Sequence, residues 1–351
     1  MKVGIIAANN TRYSPYIFFY TEILEQIKAE YEIIVPDRNP GMDKDQGNVR
    51  VLEWKQGQKT LVSYLLYCQS VKNLVKKNRY DALVVLTGNN AAFLGPWLKR
   101  KYAGRYIVDI RDYTHEDISL YYKREQMAVK NSLLNVLSSD KFRSFLPEAE
   151  YVVCHNLTVK EILDTKFEKA EGRPVDIGYV GALSYPGQCK RMMALVKEDP
   201  RFSLSFYGTS NLEPALRAYA ETLDCDRIRF FGGYTNSEKA EIIKKVDVLF
   251  NAYGNGCPLL DYAVSNKMYD AMAFKKPIIT CPDTYMDELA GPMSYPIDLE
   301  KETSLDALYA WYNNLTPEIV DSYADKMHRR FLEESQETSN IVKEKLISLQ
   351  K

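Results

Sequence analysis

At 351 residues the chain is long enough for two domains of ordinary size, which excludes a single small binding module. Its 46% hydrophobic, 26% charged and 12% aromatic content can fill packed cores and sets aside disordered or collagen-like chains. Lys and Arg total 46 against 47 Asp and Glu, a formal charge of -1, so there is no global basic field to hold nucleic acid phosphates, and no nucleic acid partner is expected.

Short apolar runs alternate with longer helical patterns from the start: strand 2–7, helix 15–29, strand 31–36, helix 60–77 and strand 82–86. A helix over 91–100, a strand over 106–110, a helix over 121–137 and a short strand over 151–154 continue the pattern. This βαβ rhythm predicts a parallel sheet with helices on both faces, a first doubly wound domain over residues 1–165. The charged stretch DTKFEKAEGRP, Asp164 to Pro174, reads as the linker.

A second rhythm predicts strands over 176–183, 202–207, 228–231, 248–251 and 277–281. The helices between them are expected over 190–196, 213–223, 237–246 and 265–273, giving a second α/β domain over 166–325. The amphipathic tail, 326–351 at its end, is expected to be helical and to lean back across the junction.

Charge is unevenly divided. Residues 1–165 hold 23 basic and 19 acidic side chains and the remainder 23 and 28, which is compatible with chance and with a first half that faces a phosphate or lipid surface. The six cysteines lie far apart with no C-x-x-C pair and read as reduced core thiols of a cytosolic protein, with no metal site. The start, MKVGIIAANN, reads as a strand and not a signal peptide. No run approaches the roughly 20 apolar residues of a spanning helix, so any membrane contact is expected to be peripheral. Candidates for it are Lys99, Arg100, Lys101 and Arg105 beside Trp97 and Tyr102, and the stretch Tyr121 to Arg124; an ordinary solvated face explains both equally well.

In open parallel sheets ligands sit beyond the carboxyl ends of the strands. In the first domain those positions hold Asn10 and Arg12, Asn89, and Arg111, Asp112 and His115. In the second they hold Gly181, Tyr207, Gly233 and Tyr234, and Asn266, Lys267 and Asp270. The loop Gly181 to Gly187 precedes Lys190 and Arg191 at a helix start, where amide groups, the helix dipole and cationic side chains can hold a diphosphate. A plain strand-to-helix turn with a surface basic pair accounts for it too. Neither G-x-x-x-x-G-K-[ST] nor G-x-G-x-x-G occurs. Ser265 is expected to cap the next helix, with Asp270 one turn inside, where it either accepts ribose hydroxyls or only complements the helix dipole. Arg111 and Asp112 read as a functional pair or a structural ion pair. His328 reads as a surface helix residue, and His155 as structural or cleft-facing.

The motifs NNTRYSPY, RDYTHED, LPEAEYVVCHN, YVGALSYPGQCKR, FYG, FFGGY, KKVDVLFNAY and SNKMYDAMAFKKPIITC together resemble GT-B glycosyltransferases of the retaining family 4 type found in bacterial capsule and exopolysaccharide clusters. The resemblance covers roughly residues 1–330. It implies two Rossmann-like domains facing across a cleft, the first binding the acceptor and the second the nucleotide sugar. Asp270 would hold the donor ribose, Lys190 or Arg191 the diphosphate, Gly181 would allow close backbone approach, and Tyr234 after Gly233 would lie against the base. Asp112 would face the acceptor. There are departures: the position eight before Asp270 is Tyr262 rather than an acid, Asp261 is one residue off, and Ala182 stands where an Arg often follows the glycine.

The resemblance implies transfer of a hexosyl-type unit from a nucleoside diphosphate sugar to an acceptor hydroxyl, with retention and without metal or other cofactor. The acceptor would be an oligosaccharide or a lipid-linked sugar diphosphate at the inner membrane surface. Rival readings are a silent GT-B-like subunit of a polysaccharide assembly complex, a sugar-nucleotide epimerase on the same fold, and a two-domain sugar-binding protein.

Overall fold

The computed structural model describes residues 1–57, 59–301 and 303–350. The chain divides into two compact units: Met1–Asn156 with the stretch from Glu333 onward, and Leu157–Leu332.

Unit 1 runs β1 (Lys2–Ile6), α1 (Ile17–Gln26), β2 (Glu30–Pro36), β3 (Val49–Leu52), α2 (Thr60–Asn78), β4 (Ala82–Leu86), α3 (Gly88–Tyr102), β5 (Tyr106–Ile110), α4 (Ser119–Val129), β6 (Leu134–Leu137) and β7 (Val152–Val153). All seven strands are parallel, in the order β3-β2-β1-β4-β5-β6-β7. The central strands β4 and β5 are buried along their whole length, as continuous apolar runs in a sheet covered on both faces must be. The polar exception, Asp109 in β5, accepts from the Tyr20 hydroxyl at 2.7 Å and from Arg111 at 2.6 Å, which offsets its desolvation. Gly95 is required where α3 meets α4: a Cβ there would lie 2.3 Å from the Arg124 carbonyl oxygen.

The helix expected over 121–137 is instead α4 followed by β6. Asn135 donates to the Val129 carbonyl at 3.2 Å and accepts from the Ser132 hydroxyl at 2.9 Å, so the turn at 130–133 is locked and LNVL is free to pair with β5 and β7. A four-residue apolar run has no periodicity to separate strand from helix. The short β3, half-buried at every position, escaped the sequence reading for the same reason.

Unit 2 continues with β8 (Val175–Val180), α5 (Pro186–Glu198), β9 (Phe202–Tyr207), α6 (Glu213–Leu223), β10 (Ile228–Gly232), α7 (Lys239–Lys245) and β11 (Val248–Phe250). It ends with α8 (Pro258–Tyr262), α9 (Asn266–Ala273), β12 (Ile278–Thr280), α10 (Tyr285–Ala290), β13 (Ser294–Pro296), α11 (Asp306–Asn314) and α12 (Pro317–Ser348). Its six strands are parallel in the order β10-β9-β8-β11-β12-β13. Its core packs Phe202, Leu204 and Phe206 of β9 with Ile177 and Tyr179 of β8, and Val320, Ala324 and Phe331 of α12 join it. The same helix enters unit 1 at Glu333, where Val342 and Leu346 are core residues, so the tail is one continuous helix shared by both units.

The segment read as a linker, Asp164 to Pro174, lies within unit 2. Phe167 is buried, its amide donates to Asp321 at 2.8 Å, and the Ala170 amide donates to the Tyr312 hydroxyl at 3.0 Å. The chain divides at Asn156 and Leu157 instead. His328 is buried rather than on the surface, its Nε2 2.9 Å from the Glu161 carbonyl oxygen, and burial lowers its pKa. His155 meets Glu334 at 2.7 Å. Of the cysteines read as core thiols, Cys257 is exposed and Cys225 half-buried; all six are unbridged. Among the described residues no helix is long and apolar enough to cross a membrane.

Candidate functional site

In unit 2 the strand order reverses between β8 and β11, so the crevice favoured for ligands opens at Gly181 and at the segment 251–256. Gly181 has φ +133 and donates its amide to Tyr207 at 2.9 Å. Gly208, with φ +134, passes so close that a Cβ on it would sit 1.9 Å from the Gly181 carbonyl oxygen. Only glycine fits there, and the main chain is bare where the two loops meet.

Against this bare turn stands the ammonium of Lys267, 3.6 Å from where a Gly181 Cβ would be. Lys267 is the second residue of α9 and is only 6% exposed. Its Nζ lies 4.0 Å from the Tyr179 ring centroid and 4.9 Å from that of Tyr253, and it donates to the Tyr253 hydroxyl. Tyr185 stacks on Tyr253 at 4.5 Å. Two ring faces favour the cation, yet burial still lowers its pKa, the nearby Tyr179 and Asp270 opposing this. A buried ammonium at a strand end beside an open glycine turn is set to receive an anion.

Asp270, 2% exposed, lies one turn further along α9. Its carboxylate meets Lys239 of α7 at 2.7 Å and accepts from the Thr158 hydroxyl at 3.3 Å. Desolvation raises its pKa against the pull of Lys239. Tyr234 faces the same carboxylate, and burial pushes its phenol up to about 12. Ser265 occupies the N-cap position of α9 as expected, but its hydroxyl donates to Asn251 at 2.9 Å and does not cap the helix, while its carbonyl accepts from the Met268 amide at 3.0 Å. Asn266 is exposed at the head of that turn.

Lys190 and Arg191 sit elsewhere on α5. Lys190 lies over the Tyr219 ring at 5.2 Å, and Arg191 pairs with Glu300, which also accepts from Gln188 at 2.8 Å. Tyr207 stacks on Phe231 at 4.5 Å, and Gly233 lies against the Thr209 methyl group. Asp261 accepts from the Gly256 amide at 2.8 Å. The sequence reading named Lys267 only as one of several donor contacts. The signal that sets it apart is its contact with Gly181, and that depends on the tertiary fold.

In unit 1, Asn10 is wholly buried and ties loops together, donating to Asp43 at 2.7 Å and accepting from Asn39 at 3.1 Å. Arg111 is likewise committed: besides Asp109 it bonds the Cys154 carbonyl at 3.0 Å. Arg12 and His115 are exposed, and Asn89 is half-buried in the first turn of α3. Asp112 is exposed, yet the protein crowding its carboxyl pushes its pKa up to about 6, with Arg111 opposing and Glu116 adding to the rise. Of the stretch offered for membrane contact, Tyr121 is buried and Arg124 donates to the Ala92 and Phe93 carbonyls at 3.0 Å, which removes both from a lipid-facing role.

Sequence reasoning missed Glu125 of α4. It is fully buried, neither carboxyl oxygen has a hydrogen-bond partner, and desolvation, then Glu116, pushes its pKa up to about 9. Gly88 at the head of α3 makes room for it, since a Cβ there would lie 2.8 Å from the carboxyl, 3.0 Å from the Tyr121 hydroxyl and 3.2 Å from that of Thr114. A carboxyl raised on folding is favoured neutral, so its burial weakens stability progressively as pH rises from its unfolded value toward about 9. Glu125→Gln is expected to stabilise the protein by about 4 kcal/mol more at pH 8.5 than at pH 5.5 in urea unfolding. Equal effects at both pH values would mean that Glu125 is ionised in the folded chain.

Two parallel Rossmann-like sheets of seven and six strands in one chain define the GT-B fold. Sucrose-phosphate synthase from Thermosynechococcus elongatus superposes with TM-score 0.75 at 12% identity, over 99% of this chain and 100% of that one. Anabaena HepE in complex with UDP and glucose gives 0.69 at 12% identity, over 97% and 99%. UDP-GlcNAc 2-epimerase from Neisseria meningitidis bound to UDP-GlcNAc gives 0.65 at 12% identity, over 99% and 100%. No protein-family model and no curated protein matches the sequence.

Proposed function

We propose that the protein is a glycosyltransferase that uses a nucleoside diphosphate sugar. The observation that carries this is the buried Lys267 ammonium against the bare turn of Gly181 and Gly208 at the carboxyl end of β8. In this reading the diphosphate lies over that turn and the N-terminus of α9, a helix start where negative charge is favoured. Lys267 takes the place of the absent arginine after Gly181, and Lys190 and Arg191 are more distant contributors. Tyr207, Gly233, Tyr234 and Asn266 flank the nucleoside, and Asp270 accepts ribose hydroxyls.

The bond from the anomeric carbon to the diphosphate oxygen breaks as a bond to the acceptor oxygen forms, and the acceptor hydroxyl loses its proton. Negative charge gathers on the leaving diphosphate. The nearby ammonium and helix amides stabilise that charge more strongly as it grows, which lowers the barrier. The reading assigns this stabilisation to the protein's own groups and not to a metal ion. Asp112, raised to about 6, stands on the acceptor side with Asn10, Arg12, Asn89, Arg111 and His115. Retention, a hexosyl donor and a role in capsular or exopolysaccharide synthesis complete the proposal.

A membrane-borne acceptor is supported by α2, whose first two turns expose Leu61, Val62, Leu65 and Leu66 beside the exposed Lys59. The epimerase reading is kept in view by the Neisseria enzyme of the same fold.

Thermal unfolding with UDP, GDP and TDP and their sugar conjugates tests the proposal. A ligand at about 100 times its dissociation constant adds roughly 2.7 kcal/mol. One base is expected to raise the midpoint and its sugar conjugate to be consumed only with an acceptor present. Conversion of the sugar without acceptor would replace the transferase by an epimerase, and no shift with any nucleotide would remove both.

A further inference from the structure

Arg38 is the second residue after β2, at the carboxyl end of the unit 1 sheet. Its guanidinium lies 4.3 Å from the Trp54 ring centroid and 5.7 Å from that of Tyr64, and these two rings meet edge to face at 5.8 Å. The side chain is half-buried, and its Nε is buried with no hydrogen-bond partner. Among the described residues no carboxylate pairs with it, and Asp37 just before it forms no bond with it. Arg111, buried in the same unit, is by contrast paired with the Asp109 carboxylate and donates to the Cys154 carbonyl at 3.0 Å.

The surroundings hold Arg38 in place. Its own amide donates to Pro36 and its carbonyl accepts from Gln56, both at 2.9 Å, while Asn39 is pinned to Asn10 of the neighbouring loop at 3.1 Å. Tyr64 donates to Asn90 at 2.7 Å, which connects the aromatic frame to the first turn of the fifteen-residue helix α3, next to the point where the strand order reverses. A guanidinium whose face is covered by a ring can bond only through its edge. Five fixed N–H groups in a plane fit phosphate oxygens in pairs. Leaving the buried Nε without an acceptor is unfavourable unless an anion bonds it.

We propose that Arg38, held beside the Trp54 and Tyr64 rings, anchors a phosphate or diphosphate ester carried by the acceptor. The inference rests on the glycosyltransferase reading and gives that reading's acceptor an anionic class. A soluble sugar phosphate and a lipid-borne phosphate share this chemistry.

Trp54 reports directly on its neighbour, so the full chain is titrated with inorganic phosphate, with pyrophosphate and with phosphatidylcholine vesicles containing phosphatidic acid while tryptophan fluorescence is read. The expected result is a saturable change that disappears in Trp54→Phe. Affinity should fall about tenfold or more in Arg38→Gln, in line with the strength of charged hydrogen bonds, and recover in part in Arg38→Lys. The response should persist in Lys267→Met, which separates this site from the donor site. A response to soluble anions alone makes the acceptor a soluble phosphate ester, and a stronger response to vesicles makes it lipid-borne. Absence of a Trp54-dependent change with all three probes, or equal affinity in Arg38→Gln, overturns the proposal. Should Arg38→Gln fail to fold by circular dichroism, the wild type against Trp54→Phe decides. Loss of nucleotide binding in unit 2 with this response intact would sink the transferase reading and leave an anion site.

Discussion

Lys267→Met is expected to lower sugar transfer by about 100- to 1,000-fold, the loss typical of removing one preorganised donor to a developing oxyanion. The same change should leave the melting temperature unchanged or raise it. Met fills a similar volume without the desolvation that now holds the ammonium's pKa down, so a lysine kept only for stability would show the opposite. A second sign is proton uptake. Burial lowers the pKa of Lys267 and a bound diphosphate raises it again, so nucleotide binding draws in a proton once the pH exceeds the lowered value, and affinity falls as pH climbs through it. Calorimetry in buffers of different ionisation enthalpy measures that proton. Full turnover in Lys267→Met would remove Lys267 from the reaction.

Asp270→Ala is expected to destabilise unit 2 by about 3–5 kcal/mol, because it strands the Lys239 ammonium, 16% exposed at its side chain, beside a space left by its partner. Urea unfolding reads this directly. Lys239→Met combined with Asp270→Ala should recover much of the loss, since replacing both partners of a buried pair is far milder than removing one. The double variant also separates structure from function: a folded protein that no longer responds to nucleotide places Asp270 at the ribose, whereas full nucleotide affinity reduces it to the counterion of Lys239.

Both experiments depend on facts that differ in how visible they were beforehand. The strand ALVVL stands out as an uninterrupted apolar run and YIVDI as one broken only by Asp109, and β9 and α6 are bounded in the sequence as they stand in the structure, 202–207 and 213–223. Gly181 and Tyr207 fall at strand ends on the same reasoning. Arg111 and Asp112 read as a pair, functional or structural, whereas the structure pairs Arg111 with Asp109 and the Cys154 carbonyl. Arg38, Trp54 and Glu125 were passed over: each is an ordinary residue in an ordinary local pattern, and nothing nearby in the chain marks its surroundings.

The sequence by itself determined the two parallel α/β units and the strand ends where ligands gather, because burial periodicity and turn chemistry act over a few residues and are written in order along the chain. Only the tertiary structure decided which charges are committed and which remain open. Asp270 meets Lys239 across helices, Arg191 meets Glu300, Lys267 reaches Gly181, and Arg38 is left without an acid. A side chain's electrostatic state depends on whatever folds against it, and those partners come from segments far apart in sequence.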